Sequence, residues 1–275
     1  MQSDGVLRAA VGSKSSIERC RLYRRRILNV SQRVTALHIA PAFSCTEIID
    51  VVFNEVMRHD DPADIFLMSK GHGCMILYVI LAERGILTDG DLDSYCTPNG
   101  RLGAHPDFGV PGIAASTGSL GHGLSIAVGQ AYAEKLKGSR SRIFCVISDG
   151  ELQEGSTWEA IMMASNLGLS NLIMIVDNND FSGLERVSIG HPAVYPIAEK
   201  LSSFGWSVAD CDGHDAAVLR TALQSSAGGR PHAVVARTVK GKGVSFMEND
   251  NLWHYRSPNK VEYAKALSEL SESGR

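Results

Sequence analysis

Apolar residues fall along this chain in short, near-continuous runs separated by longer amphipathic stretches. The runs Ile143–Ile147 and Leu172–Val176 hold almost no polar residue, and Ile65–Met68, Gly205–Cys211 and His232–Val239 are similar in length. Runs of this kind bounded by turn residues read as strands buried on both faces. Helical periodicity fills the intervals: from Ser16 through Leu28, Ser44–Met57, Met75–Arg84, Leu124–Lys135, Ser156–Leu167, Tyr195–Phe204 and onward from Asp215 to about Ser226. Their ends carry cap chemistry. Ser15 or Ser16 with Glu18 opens the first, Ser44 with Glu47 forms a capping box for the second, Asp215 is a good N-cap, and Gly168 can end the helix before it. Strands alternating with helices predict an α/β fold, a parallel sheet with helices on both faces.

The strand Ile143–Ile147 ends at Ser148-Asp149-Gly150, and Leu172–Val176 ends at Asp177-Asn178-Asn179. One helix joins them, so the pair is a βαβ unit and both ends lie on one rim of the sheet, where open α/β sheets bind ligands. Asp149 offers a charged oxygen, Asn179 a neutral one, and a backbone carbonyl just after Asn179 adds a third. Few protein oxygens, with the remaining positions left to phosphate and water, suit Mg²⁺. The helix after Gly150 is expected to aim free N–H groups at the same place, favouring a diphosphate.

Composition narrows the classes. At 275 residues the chain is long enough for one large α/β domain. We read residues 1–275 as a single domain, with 1–15 and about 260–275 as terminal extensions, the latter a polar helix and tail. A net charge of −3 carries no nucleic-acid footprint, and no apolar run reaches a membrane span. The arginines at 19, 21 and 24–26 read as the solvated face of an amphipathic helix. Six cysteines are scattered without C-x-x-C pairs, and the first residues lack a signal-peptide pattern, so a reducing cytoplasm is expected.

Glycines and histidines cluster elsewhere. Ser69-Lys70-Gly71-His72-Gly73 follows an apolar run and opens a helix. Gly103-Ala104-His105-Pro106 is a loop. Thr117-Gly118-Ser119-Leu120-Gly121-His122-Gly123 precedes a small-residue helix, and Lys240-Gly241-Lys242-Gly243 is followed by Trp253-His254. Glycine-rich turns opening helices suit anions. The G-x-x-G-x-G spacing is a weak nucleotide signal without a strong preceding strand, and K-G-K-G lacks the spacing of a phosphate loop.

Taken together, D-G-E-L-Q-E-G-S-T-W-E-A followed by D-N-N resembles the thiamine-diphosphate motif of the transketolase family, and the resemblance runs from about Ser16 to Pro258. It implies a thiamine-diphosphate-binding domain. It implies Mg²⁺ (or Ca²⁺ or Mn²⁺) held by Asp149, Asn179 and the Phe181 carbonyl. It further implies cofactor contacts from His72, Gly118, Ser119, Leu120, Gly150 and His254. His38, His72, His105 and His254 are implied at the reacting end, hydrogen-bonding sugar hydroxyls and shuttling protons. Glu154 and Glu159 are implied where subunits meet. Departures are Ser148 for the usual glycine, Ala36-Leu37 before His38, His122 for a frequent glutamine, and a shorter loop after Asn179.

The resemblance reaches only the first third or so of a full-length transketolase. The family's essential glutamate, which hydrogen-bonds the cofactor's pyrimidine and drives loss of the C2 proton, sits on a domain outside this chain. The expectation is a split transketolase: an N-terminal subunit completed by a C-terminal subunit carrying the pyrimidine-binding domain, as α2β2. The assembled enzyme would transfer a two-carbon ketol unit from a ketose or its phosphate to an aldose. Competing readings are a component of another thiamine-diphosphate enzyme, such as a 2-oxo acid dehydrogenase or a deoxyxylulose-phosphate-synthase-like protein, and a non-catalytic cofactor-binding paralogue.

Overall fold

Five strands form one parallel sheet: β1 (Ile65–Met68), β2 (Ile143–Ser148), β3 (Leu172–Asn178), β4 (Ser207–Asp212) and β5 (His232–Arg237), in the order β1-β2-β3-β5-β4. The computed structural model describes residues 14–225 and 228–271. The expected extension 1–15 therefore falls, up to residue 13, outside the described residues, as do residues 272–275.

The inner strands are apolar along most of their length because both faces are covered, whereas the edge strand β4 carries Ser207, Asp210 and Asp212 and buries only Cys211. Successive side chains point to opposite faces. Phe144, Val146, Ile173, Ile175, Val234 and Ala236 join one buried cluster, and Ile143, Cys145, Ile147, Leu172, Met174, Val176, Ala233 and Val235 join the other. On the first face lie α1 (Ser16–Ser31), α2 (Ile39–Ser44), α3 (Thr46–Val51, continued by a π-helical turn to Val56) and α4 (Cys74–Glu83). A short α5 (Asp89–Asp93) follows α4. The second face is covered by α6 (Gly123–Leu136), α7 (Gly155–Asn166) and, beyond a short α8 (Val187–Gly190), α9 (Ile197–Ser203). The chain then returns to the first face with α10 (Ala216–Gln224) and α11 (Lys260–Ser271), which buries Ala266 and Leu270 and packs on α1.

Two expectations on this first face need correction. The arginines of α1 are not one solvated face: Arg19 and Arg24 are buried, at 7% and 4% exposure. Arg19 binds Asp50 and Glu55, and Arg24 binds Glu47. Nor do Ser44 and Glu47 form a capping box. Ser44 ends α2 and turns its hydroxyl inward, and the backbone breaks at Cys45 before α3 starts. Glu47 accepts two bonds from Arg24 and one from His214, which in turn accepts from the Val239 N–H. The ion group thus joins α1, α3, the turn after β4 and the chain leaving β5.

Burial alone would raise the Glu47 carboxyl, but Arg24 and His214 outweigh it and hold it at about 2, below its ordinary 4.5. A depressed carboxylate stabilises the fold fully above its unfolded pKa and loses that contribution as pH falls through the folded value. Glu47→Gln should cost about 3 kcal/mol at pH 7, because it leaves a buried guanidinium without its charge partner. Urea unfolding of the variant should also show a shallower loss of stability between pH 4.5 and 2 than the parent.

Candidate functional site

The register that pairs β2 with β3 sets Ser148 beside Asp177, so Asp149 and Asn179 emerge from adjacent strands on one rim. Asp149 is fully buried and Asn179 is 7% exposed. One Asp149 oxygen accepts the Gly150 N–H at 2.8 Å; the other accepts the Asp180 N–H at 2.5 Å and the Tyr195 hydroxyl at 3.3 Å. The Asn179 side-chain oxygen accepts the Phe181 N–H at 2.9 Å. A β-carbon on Gly150 would lie 3.7 Å from the Phe181 carbonyl oxygen, so that carbonyl faces the same tip. The N–H groups after Asp149 are not free, contrary to expectation. Residues Gly150–Gln153 form a tight 3₁₀ turn before α7; the Gly150 N–H binds Asp149 and the Glu151 N–H binds Ser148.

Beneath the tip lies a buried ion pair that sequence reasoning missed. Lys70 and Asp177 are both wholly buried and bonded to each other. Asp177 also accepts from the hydroxyls of Ser44 and Thr238. Burial would strip the Lys70 proton, but Asp177 outweighs it and the lysine pKa is raised. Asp149 has no such ion pair among the described residues. Burial, and then repulsion from Asp177, push its carboxyl up to about 7. The tip is a site short of positive charge, with oxygen atoms of a carboxylate, an amide and a backbone carbonyl around it. That donor chemistry fits a hard divalent cation. Among the described residues no three His, Cys, Asp or Glu side chains group as a metal site, so an oxygen set of this mixed kind is the one available.

The four histidines converge. The His38 ring lies 5.9 Å from His72, 5.7 Å from His105 and 5.4 Å from His254, and His72 lies 5.5 Å from His254. Each comes from a different segment, and glycines make the approach possible. A β-carbon on Gly71 would come within 2.9 Å of the Gly118 backbone; one on Gly118 would strike the His105 ring at 2.7 Å. Gly118 has φ +136°, a conformation that favours glycine. His38 keeps a buried Nδ1 with no protein partner, an atom left for a ligand. Burial, then neighbouring His105, Lys70 and Lys240, lower His38 to about 4. Burial, then Lys240 and His38, lower His254 to about 3, and His72 falls well below its ordinary value for like reasons. These three imidazoles are therefore neutral at neutral pH, which corrects the expectation that they titrate there.

Lys240, also unforeseen, ties the two halves together. Its ammonium donates to the Ser182 carbonyl at 3.3 Å and to Asn251 at 2.6 Å, and meets His254 Nδ1 at 3.1 Å. Burial, then Lys70, lower its pKa to about 7. Tyr255, centred 4.4 Å from His38, stands half-exposed at the mouth. Ser119 and Leu120 follow Gly118 on the same loop, Ser119 exposed and Leu120 half-buried. Glu154 and Glu159 are not in the crevice: Glu154 stands at the start of α7 and Glu159 on its outer face, both exposed.

Residues 18–267 match the family model described as "Transketolase, thiamine diphosphate binding domain". A protein named as one component of an apulose-4-phosphate transketolase, from Actinobacillus succinogenes, is 35% identical over 266 residues, spanning 93% of this chain and 95% of that protein. Human transketolase is 36% identical over 244 residues, covering 84% of this chain and 38% of its own length. The solved transketolase from Leishmania mexicana superposes with a TM-score of 0.86 at 26% identity, covering 94% of this chain and 42% of that one. The chain thus spans about two-fifths of a single-chain transketolase. Fold, family match and coverage agree that the chain belongs to the transketolase family, as an N-terminal, thiamine-diphosphate-binding subunit of a transketolase-type enzyme.

Proposed function

We propose that this chain is the cofactor-binding half of a two-component transketolase, active when a separate subunit supplies the pyrimidine-binding domain. The supporting observation is the kind of relative matched: proteins named as one component of a transketolase are covered over 91–95% of their own length, whereas single-chain transketolases are covered over only 38–42% of theirs. Asp149, Asn179 and the Phe181 carbonyl hold Mg²⁺, with Ca²⁺ or Mn²⁺ as substitutes. His72, Gly118, Ser119, Leu120, Gly150 and His254 receive the coenzyme around it. Bound there, thiamine diphosphate supplies the carbon nucleophile and electron sink. The chain's own part is recognition. Imidazole ring nitrogens hydrogen-bond hydroxyl groups, so His38, His72, His105 and His254 match the hydroxyls of a ketose donor and an aldose acceptor. Lys240 holds His254 against the loop that follows Asn179. The names of the apulose-4-phosphate relatives make a phosphorylated ketose the first donor to test.

An apolar outer face supports a partner. On α7, Glu159, Met162 and Met163 share one exposed side, and the adjoining α6 exposes Ile126, Tyr132 and Leu136. Contiguous exposed apolar side chains of this size mark an interaction surface. We assign it to the assembly of subunits as α2β2, with Glu154 and Glu159 at the contact. We place the protein in the cytoplasm: all six cysteines are unpaired and five are buried. Among the described residues no helix is long and apolar enough to cross a membrane.

The purified chain alone should show no ketose cleavage with thiamine diphosphate and Mg²⁺, and addition of the pyrimidine-domain subunit should restore ketol transfer. Appreciable turnover by the chain alone would overturn the proposal. His105→Ala should lower kcat/KM by about 100-fold while changing coenzyme affinity less than about threefold, read by titration calorimetry on the complex; equal losses count against its assignment to substrate. Met162→Glu should abolish co-elution with the partner on gel filtration while the thermal midpoint stays within a few degrees of the parent, since the side chain is half-exposed.

A further inference from the structure

The Asn179 amide has two ends, and only one can face a cation. Its nitrogen lies 2.9 Å from the Ser44 hydroxyl oxygen and 3.4 Å from an Asp177 oxygen. Its oxygen takes the Phe181 N–H. Which end points inward is settled by counting protons. Asp177, ion-paired with Lys70, is acceptor only. One of its oxygens takes the lysine; the other takes the Ser44 hydroxyl at 2.8 Å and the Thr238 hydroxyl. The single Ser44 proton is thereby spent, and what remains on that oxygen is a lone pair. Only a donor can meet it, so the Asn179 nitrogen turns inward and the oxygen outward. A reversed amide would set oxygen against both Ser44 and Asp177, and nitrogen against the Phe181 N–H. All the groups are enclosed: Lys70, Ser44 and Asp177 are fully buried, so no water relieves such a mismatch.

We infer that Ser44 is a positioning residue for the cation site, relaying the direction of the Lys70–Asp177 pair to the Asn179 amide and presenting its oxygen to the metal. The inference rests on the proposed cation site. The Ser44 hydroxyl meets Asp177, Thr238 and the Asn179 amide, and it comes from the end of α2, far in sequence from both strand tips.

The test is Mn²⁺ uptake by the full chain with thiamine diphosphate, followed by the loss of the free-ion electron paramagnetic resonance signal. Ser44→Ala should weaken Mn²⁺ binding by about tenfold or more, the usual effect of losing a group that orients a metal ligand, and Ser44→Thr, which keeps the hydroxyl, should recover most of it. Asn179→Ala removes the amide itself, so a residue that acts only by directing that amide has nothing left to direct; the weaker residual uptake at Asp149 is followed at higher Mn²⁺ concentration. In that background Ser44→Ala should change the affinity less than about twofold. A general structural role for Ser44 would carry the same loss into both backgrounds, and that result overturns the inference. So does an unchanged affinity in Ser44→Ala while the parent binds. Absence of Mn²⁺ uptake by the parent overturns the cation site itself, and the inference with it.

Discussion

Two carboxylates on neighbouring strand tips are buried, and only one of them has an ion-pair partner among the described residues. Asp177 holds Lys70, and Asp149, on the adjoining strand, is left to bear the repulsion. An unpaired buried charge is among the costliest features a protein can carry, and a fold retains one where a ligand completes the balance. A parallel sheet makes the arrangement possible, because every strand ends at the same rim and adjacent tips lie within a strand spacing. The oxygen atoms around Asp149 then belong to one carboxylate, one amide and one carbonyl. In the proposed function a divalent cation would answer that deficit, with a coenzyme diphosphate beside it.

The same accounting explains the histidine pocket. Lys70 and Lys240 stand beneath and beside it, and the walls are buried. Both effects disfavour a proton on His38, His72 and His254, so neutral rings line the pocket, with His254 Nδ1 taken by Lys240. Neutral rings recognise hydroxyl groups without competing with the cation site for the diphosphate. The orphaned Nδ1 of His38 is the clearest sign, since a buried nitrogen without a partner costs stability unless a ligand supplies one.

Much of this was legible in the sequence, for identifiable reasons. The strands showed as unbroken apolar runs because both sheet faces are covered, and the segment G-H-G and the loop Gly118–Gly123 showed because close backbone approach needs glycine. Asp149 and Asn179 stood out because each follows such a run directly. What stayed hidden depends on contacts between distant segments. Ser44 read as a helix cap, and only its 2.8 Å bond to Asp177, contributed by β3, reveals its direction. Arg19 and Arg24 read as solvated because nothing local announces Asp50 and Glu47 as their partners. Lys70 and Lys240 lie in segments singled out for their glycines and histidines, and a lysine in a sequence carries no mark of burial.

The division of labour between the two components follows from what this rim can and cannot supply. Its groups are suited to charge and hydroxyls: under the proposed function, oxygens for a cation, imidazoles for a sugar and glycine backbones for a close-lying ring. The buried acid nearest these loops, Glu151, spends one oxygen on the Gly121 N–H and the Ser69 hydroxyl. It holds the two glycine-rich segments together, and its other oxygen is buried without a partner among the described residues. Glu154 and Glu159 face outward from α7. Under the proposed function, the acid that drives proton loss from the coenzyme would come from the pyrimidine-domain subunit. If one chain binds and another activates, as proposed, assembly itself becomes the condition for turnover.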